Sequence, residues 1–135
     1  MDLQKKLITK GFAHIGREHY HTTAGSGKHT IVVDEPAEMQ GTDAGMNPFG
    51  LLVSSLGSCT IITLRMYIDR KGWPVDEIQV DLAMYSITGG YLIERNLTIK
   101  GNLTEDQLKR LEQIADACPI HKVLTGSVMV ETHLQ

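Results

Sequence analysis

The first third of the chain alternates apolar and polar residues in short runs broken by glycine. Lys6–Ile15 carries Leu7, Ile8, Phe12 and Ile15 in an extended pattern that Gly11 weakens. Glu18–Thr23 and His29–Val33 read as two further strands, joined through the turn signal Ala24-Gly25-Ser26-Gly27. Asp34–Asn47, with Pro36, Gly41 and Gly45, has no period. It reads as a long loop, a kind that goes with function or mobility. The spacing then turns helical. Pro48 suits a first-turn position, and Leu52, Leu56, Cys59, Ile62 and Met66 mark one face. Leu51, Ser55 and Ile61 widen that face, and small residues crowd it, Gly57 among them. A mid-helix glycine costs up to ~1 kcal/mol relative to alanine, so something packs close to the backbone there. Lys71-Gly72-Trp73-Pro74 ends the helix.

Alternation resumes in Val75–Ser86 through Ile78, Val80 and Leu82. Thr88-Gly89-Gly90 signals a hairpin, and Tyr91–Gly101 alternates through Ile93, Arg95, Leu97 and Ile99. Thr104 and Gln107 form a capping box ahead of a second amphipathic helix on Leu108, Leu111, Ile114, Ala115 and Cys118. Pro119 ends that helix and opens a short turn over Ile120–Leu124. Gly126 breaks it, and Ser127–His133 alternates as a last strand. The expected order is β-β-β-α-β-β-α-β over a single domain, 1–135. Hairpins beside helices, without strand–helix–strand alternation, make this an α+β fold with antiparallel sheet. The first helix, apolar on more than one side, reads either as the central core helix or as part of a dimer interface.

Composition narrows the function. Lys+Arg number 13 against Asp+Glu 16, a net charge of −3, so no basic footprint for nucleic acid or anionic lipid is present. No continuous apolar run approaches the ~20 residues of a membrane span, and the first ten residues carry no signal-peptide pattern. Two cysteines are too few for a secreted disulfide scaffold. The expectation is a soluble cytoplasmic protein with two thiols to explain.

Cys59 lies on the apolar stripe of the first helix, where it is either a buried structural thiol or a reactive one. Cys118 directly precedes Pro119. It is either the last core position of the second helix or the N-cap of the next turn, where unpaired N–H groups lower a thiol's pKa. Cys118-Pro-Ile-His121 has a ligand-like spacing, but a structural zinc site needs four ligands and no Cys-x-x-Cys pair exists. His19 and His21 share a strand face and read as solvent-facing positions more readily than as metal ligands. No phosphate-binding glycine loop is present, so no cofactor and no metal is expected.

Asn47-Pro-Phe-Gly-Leu-Leu-Val-Ser-Ser-Leu-Gly-Ser-Cys59-Thr60, then Leu64-Arg-Met-Tyr67, and later Leu111-Glu-Gln-Ile-Ala-Asp-Ala-Cys118-Pro-Ile-His-Lys-Val-Leu124, resemble the OsmC/Ohr family over the whole chain. Members of that family are thiol peroxidases that reduce organic hydroperoxides. The resemblance implies a two-layer α+β domain intertwined into a homodimer, with the cysteine-bearing helices central. It implies that Cys59 is the peroxidatic and Cys118 the resolving cysteine, recycled by an external thiol reductant of unknown identity. It also implies that an arginine from the N-terminal strands lowers the Cys59 pKa, and Arg17 is the matching residue. Peroxidase members hold that arginine with a glutamate just after the proline of the first motif, where this chain has Phe49 and Gly50. That departure keeps two alternatives open: another thiol-transfer enzyme, and a dimeric protein that binds a small hydrophobic ligand.

Overall fold

The computed structural model describes residues 4–135. Contacts within the chain gather into two compact units, one ending at Leu51 and one from Leu52 to Gln135.

The first unit is an antiparallel sheet of three strands in the order β1 (Phe12–Ile15), β2 (Thr22–Ser26), β3 (His29–Val33). Two of the three expected strands are displaced. β1 is confined to four residues because its partner ends: Phe12 pairs with Gly25, and only Ser26 remains beyond it. β2 begins at Thr22 rather than Glu18, and the turn falls at Gly27-Lys28 rather than over Ala24–Gly27. Gly27 has φ +59°, a conformation open to glycine at the first position of a two-residue hairpin loop. The loop after β3 is organised by one buried carboxylate. Asp34 accepts the backbone N–H groups of Tyr20, Glu35, Thr42 and Ala44 and the hydroxyl of Thr42, at 2.6–3.3 Å. Its own N–H donates to Met46 O at 3.1 Å, which closes the loop at its base.

Helix α1 (Pro48–Lys71) begins and ends where the sequence places it. Asn47 caps it by accepting the Gly50 N–H at 2.8 Å. Its buried face is Leu56, Thr60, Leu64 and Ile68, not the expected stripe, for Ile62 and Met66 are 53% and 60% exposed. A helix apolar on several sides does not announce which side is buried. α1 is also long and apolar enough to span a bilayer by length and composition, at 24 residues with mean hydropathy 1.5 over its best window. No unbroken apolar run marks this in the sequence, because serines, threonines and glycines interrupt it while lowering the mean little. Leu64 and Ile68 are fully buried among other elements of the protein, as core-helix residues are.

The second unit is a two-layer arrangement. β4 (Val75–Ile87) and β5 (Gly90–Gly101) form a long hairpin, and α1 packs on one face of it. A Cβ on Gly57 would lie 2.7 Å from Leu82 Cδ1, so the glycine is what lets helix and sheet approach. The core joins Leu64, Ile68, Val75, Leu111 and Ala115, with Ile78, Leu97 and Ile99 of the sheet packed against them. Helix α2 (Glu105–Ala115) carries the expected capping box on Thr104 and Gln107, and a short helix α3 (Pro119–Thr125) follows. The expected last strand does not form. Ser127–His133 has no strand partner among the described residues, and Val128, Met129 and Val130 are 61–85% exposed. A strand is defined by pairing, and alternation alone supplies no partner.

Candidate active site

Cys59 and Cys118 reach each other from distant parts of the chain. Cys59 lies in mid-α1, one residue before the buried Thr60, and is half-buried. α2 stops at Ala115, Asp116 is its C-cap, and Cys118 N donates to Ala115 O at 3.4 Å. Cys118 is therefore not the last core position of α2. It is the N-cap of α3, with Pro119 at the first helical position and Sγ accepting the His121 N–H at 3.5 Å. Both cysteines are free thiols, and the two sulfurs lie close enough for each to shift the other's acidity. Cys118 is wholly buried, so of the pair only Cys59 is open to solvent.

Their acidities differ in direction. Burial pushes the Cys59 thiol up, and the adjacent Cys118 sulfur adds to this, against smaller help from the Ile120 N–H and the Thr63 hydroxyl. Burial acts on Cys118 in the same sense but is outweighed. The neighbouring Cys59 thiol, the His121 N–H bonded to its sulfur, the Ile120 N–H and the Thr60 hydroxyl all favour its charged form, so Cys118 is held below the ordinary thiol value. Of the two thiols, Cys118 is therefore the more readily ionised and Cys59 the less.

A second cluster surrounds the pair. Arg95 sits on the sheet face that carries Ile93, Leu97 and Ile99, with its side chain only 14% exposed. Its Nη1 donates to Thr60 Oγ1 at 3.0 Å and to Ala115 O at 3.1 Å. Its Nη2 donates to Asp116 Oδ1 at 2.7 Å and lies 3.2 Å from His121 Nδ1. One guanidinium thus ties the residue after Cys59 to the segments on both sides of Cys118. The sequence carried a signal for it: an arginine in an apolar slot of an alternating strand needs partners.

Arg17 lies exposed in the connection between β1 and β2, in the first unit, whereas both thiols belong to the second. Phe49 is 59% exposed in the first turn of α1, and Gly50 gives its N–H to the Asn47 cap. His121 faces Arg95 and Asp116 with its ring and reaches Cys118 through its backbone. Among the described residues no three His, Cys, Asp or Glu side chains gather in a way that suits a metal ion.

Residues 41–133 match the family described as OsmC-like protein. The chain belongs to the OsmC-like family. The matched span contains both cysteines and begins after Arg17. The uncharacterized protein YmaD of Bacillus subtilis (strain 168) is 25% identical over 120 residues, covering 81% of this chain and 80% of its own. Among solved structures, an OsmC-like protein of Mycoplasma pneumoniae has a TM-score of 0.76 at 22% identity, over 92% of this chain and 90% of its own. The organic hydroperoxide resistance protein OhrB of Bacillus subtilis has a TM-score of 0.60 at 23% identity, over 89% and 92%. These likenesses establish the OsmC-like α+β fold of the chain.

Proposed function

We propose that this OsmC-like protein is a dithiol peroxidase that reduces organic hydroperoxides, with Cys59 as the attacking thiol and Cys118 as the resolving one. The observation that carries the reading is the neighbouring thiol pair in which only Cys59 is open to solvent. Family membership and the organic hydroperoxide resistance proteins of the same fold support it.

The chemistry balances within the pair. Cys59 passes its proton to the Cys118 thiolate and attacks the terminal oxygen of the hydroperoxide. The O–O bond breaks, Cys59 becomes a sulfenic acid, and the alkoxide leaves as the alcohol after taking the proton from Cys118. The restored Cys118 thiolate attacks the sulfenic sulfur, forming the Cys59–Cys118 disulfide and releasing hydroxide. The sum is one thiol, one thiolate and one hydroperoxide giving a disulfide, an alcohol and hydroxide, which a solvent proton turns to water. An external thiol reductant then returns both cysteines to thiols, which suits a reducing cytoplasm. Arg17 is assigned the role of lowering the Cys59 pKa from the N-terminal strands, and no cofactor or metal takes part.

The assembly proposed with this activity is an intertwined homodimer. Ile62, Met66 and Ile78, with Arg65, Asp76 and Glu77 beside them, line a groove of about 660 Å³ between α1 and β4, and the apolar Val128–Leu134 segment pairs with no strand among the described residues. Apolar area of this kind suits a second copy of the chain. Sedimentation at micromolar concentration should return about twice the chain mass of 14.9 kDa; a stable monomer would oppose the assembly.

One observation favours a second reading. With Phe49 and Gly50 where peroxidase members carry glutamate, the Arg17 clamp has no partner at that position, and Phe49 offers an apolar wall instead. The same thiol pair would then act on a different electrophile. A free-thiol count before and after one equivalent of cumene hydroperoxide separates the readings. Loss of both thiols per chain with release of the alcohol supports the peroxidase, and an unchanged count supports the alternative.

A further inference from the structure

Thr60 Oγ1 is fully buried and has one proton with two takers. It donates to Leu56 O at 2.7 Å, and it neighbours the Cys118 sulfur closely enough to help lower that thiol's pKa. The same oxygen accepts from Arg95 Nη1 at 3.0 Å. A guanidinium bond into a hydroxyl oxygen fixes where the oxygen sits and strengthens the hydroxyl as a donor. Arg95 also holds the last carbonyl of α2, at Ala115, and pairs with Asp116, so it sets the path of the chain entering Cys118. We propose that Arg95 is a positioning residue for the resolving thiol, acting through the Thr60 hydroxyl, which it presents to Cys118 when that sulfur is charged. The proposal deepens the dithiol reading and rests on it for the role of Cys118.

The groups facing Cys118 are Cys59 and Thr60 from α1, His121 and the Ile120 N–H from α3, and, one residue removed, Arg95 from β5 and Asp116 from the end of α2. Arg95 makes no direct hydrogen bond to either sulfur among those described, so its influence passes through Thr60 and the backbone at Ala115. The chemistry asks for this. Cys118 must hold a proton briefly while Cys59 attacks and must be a thiolate again when the sulfenic acid forms. A donor that swings between a carbonyl and the sulfur answers to that change of charge.

The test reads each thiol in place. The NMR shift of each cysteine Cβ, in cysteine-labelled protein, is followed against pH for the wild type and for Thr60→Val, Thr60→Ser, Arg95→Met and Arg95→Lys. Thr60→Val keeps the shape of the side chain and removes the hydroxyl. It should raise the Cys118 midpoint by about one pH unit, the usual size for one hydrogen bond lost from a charged group. Thr60→Ser should restore the wild-type value. Arg95→Met should raise the midpoint in the same direction, Arg95→Lys should recover part of it, and Arg95→Met in the Thr60→Val background should add nothing further. Thr60→Val and Thr60→Ser decide the matter even if Arg95→Met does not fold. An unmoved Cys118 midpoint in folded Thr60→Val overturns the proposal. Failure of hydroperoxide to oxidise either thiol would instead overturn the peroxidase reading, and the titration would still report on Arg95 and Thr60.

Discussion

The sulfur of Cys118 accepts the backbone N–H of His121 at 3.5 Å, which makes a thiol the N-cap of α3. The residue proposed to resolve the sulfenic acid is therefore also the residue that starts a helix. Serine at this position keeps an acceptor for the same N–H, whereas alanine removes it. Cys118→Ala should lower stability by about 1 kcal/mol relative to Cys118→Ser, the usual value of an N-cap. Urea unfolding midpoints of the two variants check this, and equal midpoints would show that the cap contributes nothing.

Asp34 predicts an acid limit on the first unit. Hydrogen bonds from the Thr42 hydroxyl and from three backbone N–H groups outweigh burial and hold its carboxyl far below the usual carboxylate range. Folding therefore favours the ionised form. The stability it contributes is present above the unfolded carboxyl pKa of about 3.9 and is lost as pH falls toward the folded value. Wild-type stability should fall between pH 5 and pH 2, and Asp34→Asn should be less stable at pH 7 and flatter through the acid range. Thermal midpoints across that range read the difference. Parallel curves for the two proteins would remove Asp34 from the account.

At Gly57 the helix–sheet approach can be tested by size. Alanine gains up to ~1 kcal/mol of helix propensity but meets Leu82 Cδ1, the movable end of a side chain, so its net effect should be small. Gly57→Val adds branched bulk against the sheet and should destabilise by about 1–3 kcal/mol. Denaturation midpoints of the two variants give the comparison, and a Val variant as stable as the Ala variant would mean that helix and sheet are free to separate there.

Much of the second unit was legible because its signals are local. The capping box on Thr104 and Gln107, the stop at Lys71-Gly72, the hairpin at Thr88-Gly89 and the break at Cys118-Pro119 each depend on residues within a few positions. The rest depends on partners distant in sequence. Asp34 gathers donors from as far away as Tyr20, and no period in the sequence announces such a set. Arg95 was visible as a cation in an apolar slot, but its partners lie on α1 and around Cys118. Ser127–His133 alternates like a strand and pairs with no strand among the described residues. Which face of α1 is buried was open for the same reason: Leu56, Thr60, Leu64 and Ile68 were chosen by packing, from a helix with several apolar sides.

The role assigned to Arg17 carries its own test. Burial raises the Cys59 thiol, and an opposite charge within ~4–6 Å would lower it by about 1–3 units. Arg17→Ala should move the Cys59 alkylation profile to higher pH while leaving Cys118 where it is. Gly50→Glu, which restores the family's acidic group, should speed hydroperoxide turnover if a loose arginine is what limits it. An alkylation profile that does not respond to Arg17→Ala removes Arg17 from the site.

The division of labour between the thiols is the central claim, and peptide-resolved mass spectrometry of two single variants tests it most directly. After one equivalent of organic hydroperoxide and a sulfenic-acid trapping reagent, Cys118→Ser should carry the trapped adduct on Cys59, because that sulfur is the accessible one. Cys59→Ser should remain unmodified at its buried Cys118. An adduct forming on Cys118 in the Cys59→Ser protein at the same rate, with none on Cys59 in the Cys118→Ser protein, would reverse the assignment.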